Sequence, residues 1–170
     1  FGIKYNAGNG GPAPEKMTDQ FFANTKKISH YKISDAADCD LDKLGLSKIE
    51  GMAVEVIDPV SDYQKLMETL FDFDAIRALF KSGFRIRFDA MHAITGPYGH
   101  AILVDALGAP KGSVVNGTPL PDFGGHHPDP NLVHAKELYD LMMSAGGPDF
   151  GAASDGDGDR NLIIGKNQFV

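Results

Sequence analysis

Near the end of this 170-residue sequence, the stretch SDGDGDRN places Asp155, Asp157 and Asp159 at alternate positions and follows them with Arg160. Three like charges this close repel one another unless a cation compensates them. The intervening Gly156 and Gly158 let the backbone fold tightly enough for the carboxylates to converge. Hard oxygen donors select Mg²⁺, Ca²⁺ or Mn²⁺ over zinc. A calcium EF-hand loop also begins with alternating aspartates, but it needs glycine at its sixth position and glutamate at its twelfth. Counted from Asp155, those positions hold Arg160 and Lys166, and the flanks read as strands rather than helices. The competing reading is a polar turn, since Asp and Gly are common turn residues. A turn needs only one or two of them, and the third carboxylate would only add repulsion. Arg160 either neutralises the aspartates or grips a phosphate bidentately. Metal together with arginine points to phosphoryl transfer.

Other candidates carry less. His126 and His127, in GGHHPDP, invite a zinc reading, but adjacent residues in extended backbone point to opposite faces and no cysteine accompanies them. A buried, hydrogen-bonded loop is the expectation there. His92, in DAMHA, is expected to pack or turn at a strand end. The glycine-rich AGNGG matches neither dinucleotide nor Walker patterns and reads as a turn. No G-x-S-x-G elbow or Cys–His pair indicates acyl transfer. Lys4, taken alone, reads as an ordinary strand lysine.

The elements that must position the aspartates follow from patterning. An opening strand (FGIKYN), a turn over Ala7–Gly11 and a helix through Pro14 and Glu15 come first, with Met17, Phe21, Phe22, Thr25 and Ile28 on one face. Residues Ser34–Gly51 look polar and irregular. A strand over Met52–Asp58 leads to a helix from Pro59, with Val60, Tyr63, Leu66, Met67 and Leu70 on one face, and a second helix ends at Gly83. A domain boundary is expected near Phe71 or Asp72, giving domains 1–71 and 72–170. Strand FRIRFDA, helix GPYGHAILVDALG, strand GSVVNGTPL, loop PDFGGHHPDP, a helix opened by Asn131 and strand DFGAAS then alternate, and NLIIGKNQFV reads as a hairpin. Such alternation predicts an α/β fold with a mixed, mostly parallel sheet flanked by helices. Ligands bind such sheets beyond the carboxyl ends of strands, which is where the aspartates fall.

Composition sets bounds. Hydrophobic residues make up 42% and charged residues 23%, enough apolar content for a core. A formal net charge of −7 argues against a nucleic-acid partner. A few local cations still suffice to hold a phosphate. The single Cys39 excludes an intrachain disulfide and fits a reducing, cytoplasmic compartment. No apolar run approaches the roughly 18 residues of a membrane span, and no signal-peptide pattern opens the chain. Residue 1 is Phe1, and neither end reads as a natural boundary, so a segment of a longer protein is expected.

The loop DGDGDR resembles the magnesium loop of the α-D-phosphohexomutases. FGIKYNAGNGGPAPE, RIRFDAMHAITGPYG, LPDFGGHHPDPNL and DFGAASDGDGDRN, in order along nearly the whole chain, are similar to the eukaryotic-type phosphoglucomutase branch. The resemblance implies the later part of domain one and most of domain two of a four-domain enzyme. That enzyme would interconvert glucose 1-phosphate and glucose 6-phosphate through a phosphoserine and glucose 1,6-bisphosphate. It further implies Asp155, Asp157 and Asp159 as Mg²⁺ ligands, Arg160 near the transferring phosphate, and Lys4 in phosphate contact and proton transfer. The family's serine loop would precede Phe1, and its sugar-specificity loop and distal phosphate site belong to later domains, so this segment is expected to be inactive alone. The alternative is a non-catalytic adhesion or exocytosis component of the aciculin or parafusin type. Phosphomannomutase activity is a lesser alternative.

Overall fold

Pro14 and Glu15 open the first helix as their chemistry predicts. In the computed structural model of the chain, which describes residues 3–169, the elements fall into two compact units, residues 1–56 and 57–170. In the first unit, α1 spans Glu15–Thr25 with Pro14 at its cap. Its expected apolar face is not buried: Phe21 and Phe22 stay exposed, Tyr5 meets Phe21 edge-on at 5.1 Å, and Lys26 lies over the Phe22 ring. The expected opening strand is not formed at residues 3–5, and Phe1 and Gly2 lie outside the described residues. The backbone there bonds locally across the turn instead, Ala13 N–H to the Tyr5 carbonyl and Ala7 N–H to that of Gly11, leaving only an isolated Asn6–Pro12 bridge. The stretch read as irregular contains a strand, β1 (Gly45–Ile49), paired antiparallel with β2 (Met52–Val56). Glu50 and Gly51 turn between them, both at positive φ (47° and 89°), the geometry of a two-residue hairpin turn.

The second unit begins with well-signalled helices. Asp58 caps α2 (Pro59–Leu70) by accepting from the Val60 and Ser61 N–H groups, and Pro59 sits where no N–H is needed. Asp72 caps α3 (Phe73–Lys81) through the Ala75 N–H. Strand β3 (Ile86–Asp89) leads through a turn to α4 (Thr95–Tyr98), which widens directly into a π-helical segment, Gly99–Ala106. The strand expected over GSVVNGTPL is reduced to β4 (Val114–Val115), because Asn116 turns the chain at positive φ. The helix expected from Asn131 starts as turns, with Asn131 Oδ1 accepting from the Val133 and His134 N–H groups, and becomes α-helical only as α5 (Lys136–Met142).

Strands β5 (Phe150–Ser154), β6 (Asn161–Gly165) and β7 (Gln168–Phe169) complete a five-stranded sheet in the order β4-β3-β5-β6-β7. The β3 pairings with β4 and β5 are parallel, and those of β6 with β5 and β7 are antiparallel, so four of the five strands point the same way. The expected mixed, mostly parallel α/β sheet is present. Its core joins α5 to the sheet through Met91, Ala135, Leu138, Met142, Ala153 and Ile164. Met142 and Ile164 are essentially fully buried, each worth about 1.5–3 kcal/mol of transfer free energy. Gly151 permits this packing, since a Cβ there would fall 2.8 Å from Met142 Cγ. The β5–β6 ladder is therefore closely packed against α5. No helix among the described residues is long and apolar enough to cross a membrane.

Candidate functional site

The aspartates occupy the connection between β5 and β6. Ser154 pairs with Asn161 at the end of the antiparallel ladder, and the Asp155 N–H donates to the Arg160 carbonyl at 3.1 Å, which closes the loop at its base. Gly158, at φ +80°, turns the chain inside it, its N–H donating to the Asp155 carbonyl at 3.2 Å. Asp155, Asp157 and Asp159 then each present a carboxylate oxygen within 4.8 Å of the others, Asp155 buried and the other two exposed. They form the one cluster of metal-ligating type among the described residues. The donor set is all hard oxygen from carboxylates, which fits Mg²⁺ or Mn²⁺ better than zinc.

Arg160 is built into this loop from below. Its backbone N–H donates to Asp155 Oδ1 at 3.0 Å and its Nε–H to Asp155 Oδ2 at 2.9 Å, while Asp159 Oδ1 lies 3.8 Å from Nε. Its Nη1–H donates to Asp129 Oδ1 at 2.8 Å. The hydrogen bond that Arg160 donates to Asp155, with the charges of Asp129, Asp155 and Asp159, raises the Arg160 pKa above its already high ordinary value, so the side chain stays cationic. Neutralisation of the aspartates is thus part of its work. The side chain remains 63% exposed, so an anion can also reach it.

A second loop supports the first. The Pro128 carbonyl accepts from the Gly156 N–H at 3.2 Å, and Asp129, itself held by Asn131 Nδ2 at 2.8 Å, anchors Arg160. This corrects the reading of GGHHPDP as a buried loop: His126 and His127 are exposed, and the loop's contribution is made by Pro128 and Asp129. His127 packs its ring against His134, centroids 4.8 Å apart, and no histidine belongs to a metal-ligating cluster among the described residues. His92 makes the expected turn, at φ +54°, its Nδ1 3.0 Å from the Thr118 carbonyl. Asp129 was missed in the sequence because nothing local distinguishes it from a turn aspartate; its partner lies 31 residues away. On the loop's other side, an apolar cleft of about 550 Å³ lined by Tyr63, Met67, Phe88, Tyr98 and Leu103 ends at Asp157 and Gly158. Lys4 lies in the first unit and is exposed; the aspartates and Arg160 are in the second, and these are the residues brought together.

Comparison with known proteins gives a consistent picture. Residues 61–168 match the family described as phosphoglucomutase/phosphomannomutase, alpha/beta/alpha domain II. A phosphoglucomutase of Rhizobium radiobacter is 69% identical over 170 residues, covering all of this chain and 31% of that protein. A chloroplastic phosphoglucomutase of Arabidopsis thaliana is 56% identical over 171 residues, covering all of this chain and 27% of that protein. The open form of the exocytosis-sensitive phosphoprotein pp63/parafusin, a phosphoglucomutase from Paramecium, superposes with a TM-score of 0.85 at 44% identity, over all of this chain and 33% of that one. The chain thus spans less than a third of the length of the curated relatives it matches.

Proposed function

The chain belongs to the phosphoglucomutase/phosphomannomutase family, and from that premise we propose that it supplies the carboxylate loop of a phosphoglucomutase. The reaction is the interconversion of glucose 1-phosphate and glucose 6-phosphate through a phosphoserine and glucose 1,6-bisphosphate. The observation that carries this reading is the convergence of Asp155, Asp157 and Asp159 beside the cationic Arg160 at the carboxyl end of β5. Asp155, Asp157 and Asp159 would hold Mg²⁺, which when bound supplies charge neutralisation for the phosphoserine and the transferring group. Arg160, fixed by Asp129 and Asp155, offers its exposed face to phosphate oxygens. Lys4 is assigned to phosphate contact and proton movement at the sugar hydroxyl.

Residues 1–71 are assigned to the end of domain one and 72–170 to most of domain two. The partner is a phosphosugar, glucose being favoured over mannose, and the compartment is the cytoplasm. The 170 residues alone, without a serine loop, are expected not to turn over; coupled-assay activity of the isolated segment above a buffer blank would overturn that. The second reading is a role in exocytosis or adhesion without mutase turnover; of this, the likeness to the exocytosis-sensitive Paramecium protein supports the exocytosis part alone.

The two readings separate in a coupled assay of glucose 1-phosphate conversion by the full-length protein. Turnover that needs Mg²⁺ and falls by about 10³-fold in Asp157→Asn is expected on the enzymatic reading. Unchanged turnover and magnesium dependence in that variant would contradict the metal assignment. No turnover in the wild-type protein would favour the second reading.

A further inference from the structure

We propose that Thr95 is a positioning residue that sets the cation affinity of the aspartate loop, an inference resting on the reading of that loop as a divalent-cation site. Thr95 opens α4, far from the loop in sequence, yet its side chain meets both the entry to the loop and its inner turn. Its Oγ1 lies 2.6 Å from Oγ of Ser154, the residue immediately before Asp155, and one of the two hydroxyls donates to the other. Ser154 and Asp155 are 2% and 1% exposed, so the bond is shielded from water and has no solvent substitute on the Ser154 side. At the loop's inner turn, the Thr95 methyl group closes against Gly158, next to Asp159: a Cβ on Gly158 would fall 2.8 Å from Thr95 Cγ2. One side chain therefore holds the entry to Asp155 with its hydroxyl and backs the turn into Asp159 with its methyl.

The anchor is itself closely seated. A Cβ at Gly96 would lie 1.9 Å from the Gly117 carbonyl oxygen, so the start of α4 is seated directly on the backbone after β4. A Cβ at Gly99, at the start of the π-helical segment, would meet the Phe88 ring on β3 at 2.9 Å. These two close contacts, one with backbone and one with a β3 side chain, seat Thr95 against the sheet from which the aspartates emerge. Groups that orient ligands without binding the ion are worth about 10- to 100-fold in metal affinity. Thr95 acts through Ser154 and the loop backbone, which places it at the lower end of that range.

The test is a Mn²⁺ titration of the full-length protein followed by electron paramagnetic resonance, with circular dichroism to check folding. Thr95→Val keeps the shape and removes the hydroxyl; it is expected to weaken Mn²⁺ binding by about tenfold with an unchanged fold spectrum. Thr95→Ser restores the hydroxyl and is expected to recover most of the affinity. Should Thr95→Val fail to fold, Ser154→Ala removes the same bond from the other side, and its affinity loss carries the test. If both fold, the double variant should lose no more than either single one. Wild-type affinity in Thr95→Val or Ser154→Ala overturns the proposal while leaving the metal site intact. Absence of Mn²⁺ binding by the wild-type protein overturns the metal reading and this inference together.

Discussion

Two polar loops stand side by side beyond the carboxyl end of β5, and they use their side chains in opposite ways. The loop from Asp155 to Arg160 turns three carboxylates toward one another. The loop through His126 and His127 leaves its imidazoles exposed and contributes a carbonyl, from Pro128, and a carboxylate, from Asp129, to its neighbour. The difference lies in backbone, not in composition. In the first loop a glycine follows each of the first two aspartates, a β-hairpin closes the base, and the turn at Gly158 brings the carboxylates together. In the second, His126 has extended backbone (φ −102°, ψ 166°), and neither histidine joins a metal-ligating cluster among the described residues. Convergence of like charges marks the candidate site, and the second loop braces it.

The comparison can be broken from either side. Asp157→Asn removes one of the converging carboxylates and keeps the loop's shape. Mg²⁺-dependent turnover of the full-length protein should fall by about 10³-fold in the coupled assay, the largest effect expected. Asp129→Asn tests the brace: Arg160 keeps its bonds to Asp155 but loses the charge that aims Nη1. The apparent KM for glucose 1-phosphate should rise about tenfold, by the worth of one charge-assisted hydrogen bond, with Mn²⁺ affinity little changed. An equal loss of Mn²⁺ affinity would show that the brace holds the aspartates rather than the arginine. The smallest effect belongs to the histidines. Replacing His126 and His127 together by alanine should shift Mn²⁺ affinity and turnover by less than about twofold, since exposed side chains away from the site contribute little. A large loss on either measure would return the histidines to the site.

Much of this was legible in the sequence, and the failures have physical causes. Helices α2 and α3 were readable because Asp58, Pro59 and Asp72 signal their starts chemically. The aspartate loop was readable because repulsion among its carboxylates demands a reason. Strand β1 was hidden because both faces of Gly45–Ile49 are largely exposed, so no alternation marks it, and its turn uses Glu50 rather than the usual Asn or Asp before glycine. Strand β4 was overestimated because its apolar run gives no warning that Asn116 takes a left-handed turn. Asp129 and Thr95 were invisible for a shared reason. Their roles come from partners 31 and 59 residues away, brought close only when β3, β5 and the intervening helices pack. The first unit shows the same limit from the other direction: the helical face of α1 is patterned for burial, yet Phe22 is 61% exposed.

The most direct measurement is an anomalous difference map from crystals of the full-length protein soaked in Mn²⁺. The account predicts one strong peak among the Asp155, Asp157 and Asp159 carboxylates, absent in Asp157→Asn crystals. A peak at His127 and His134, or none near the aspartates at saturating Mn²⁺, would contradict it.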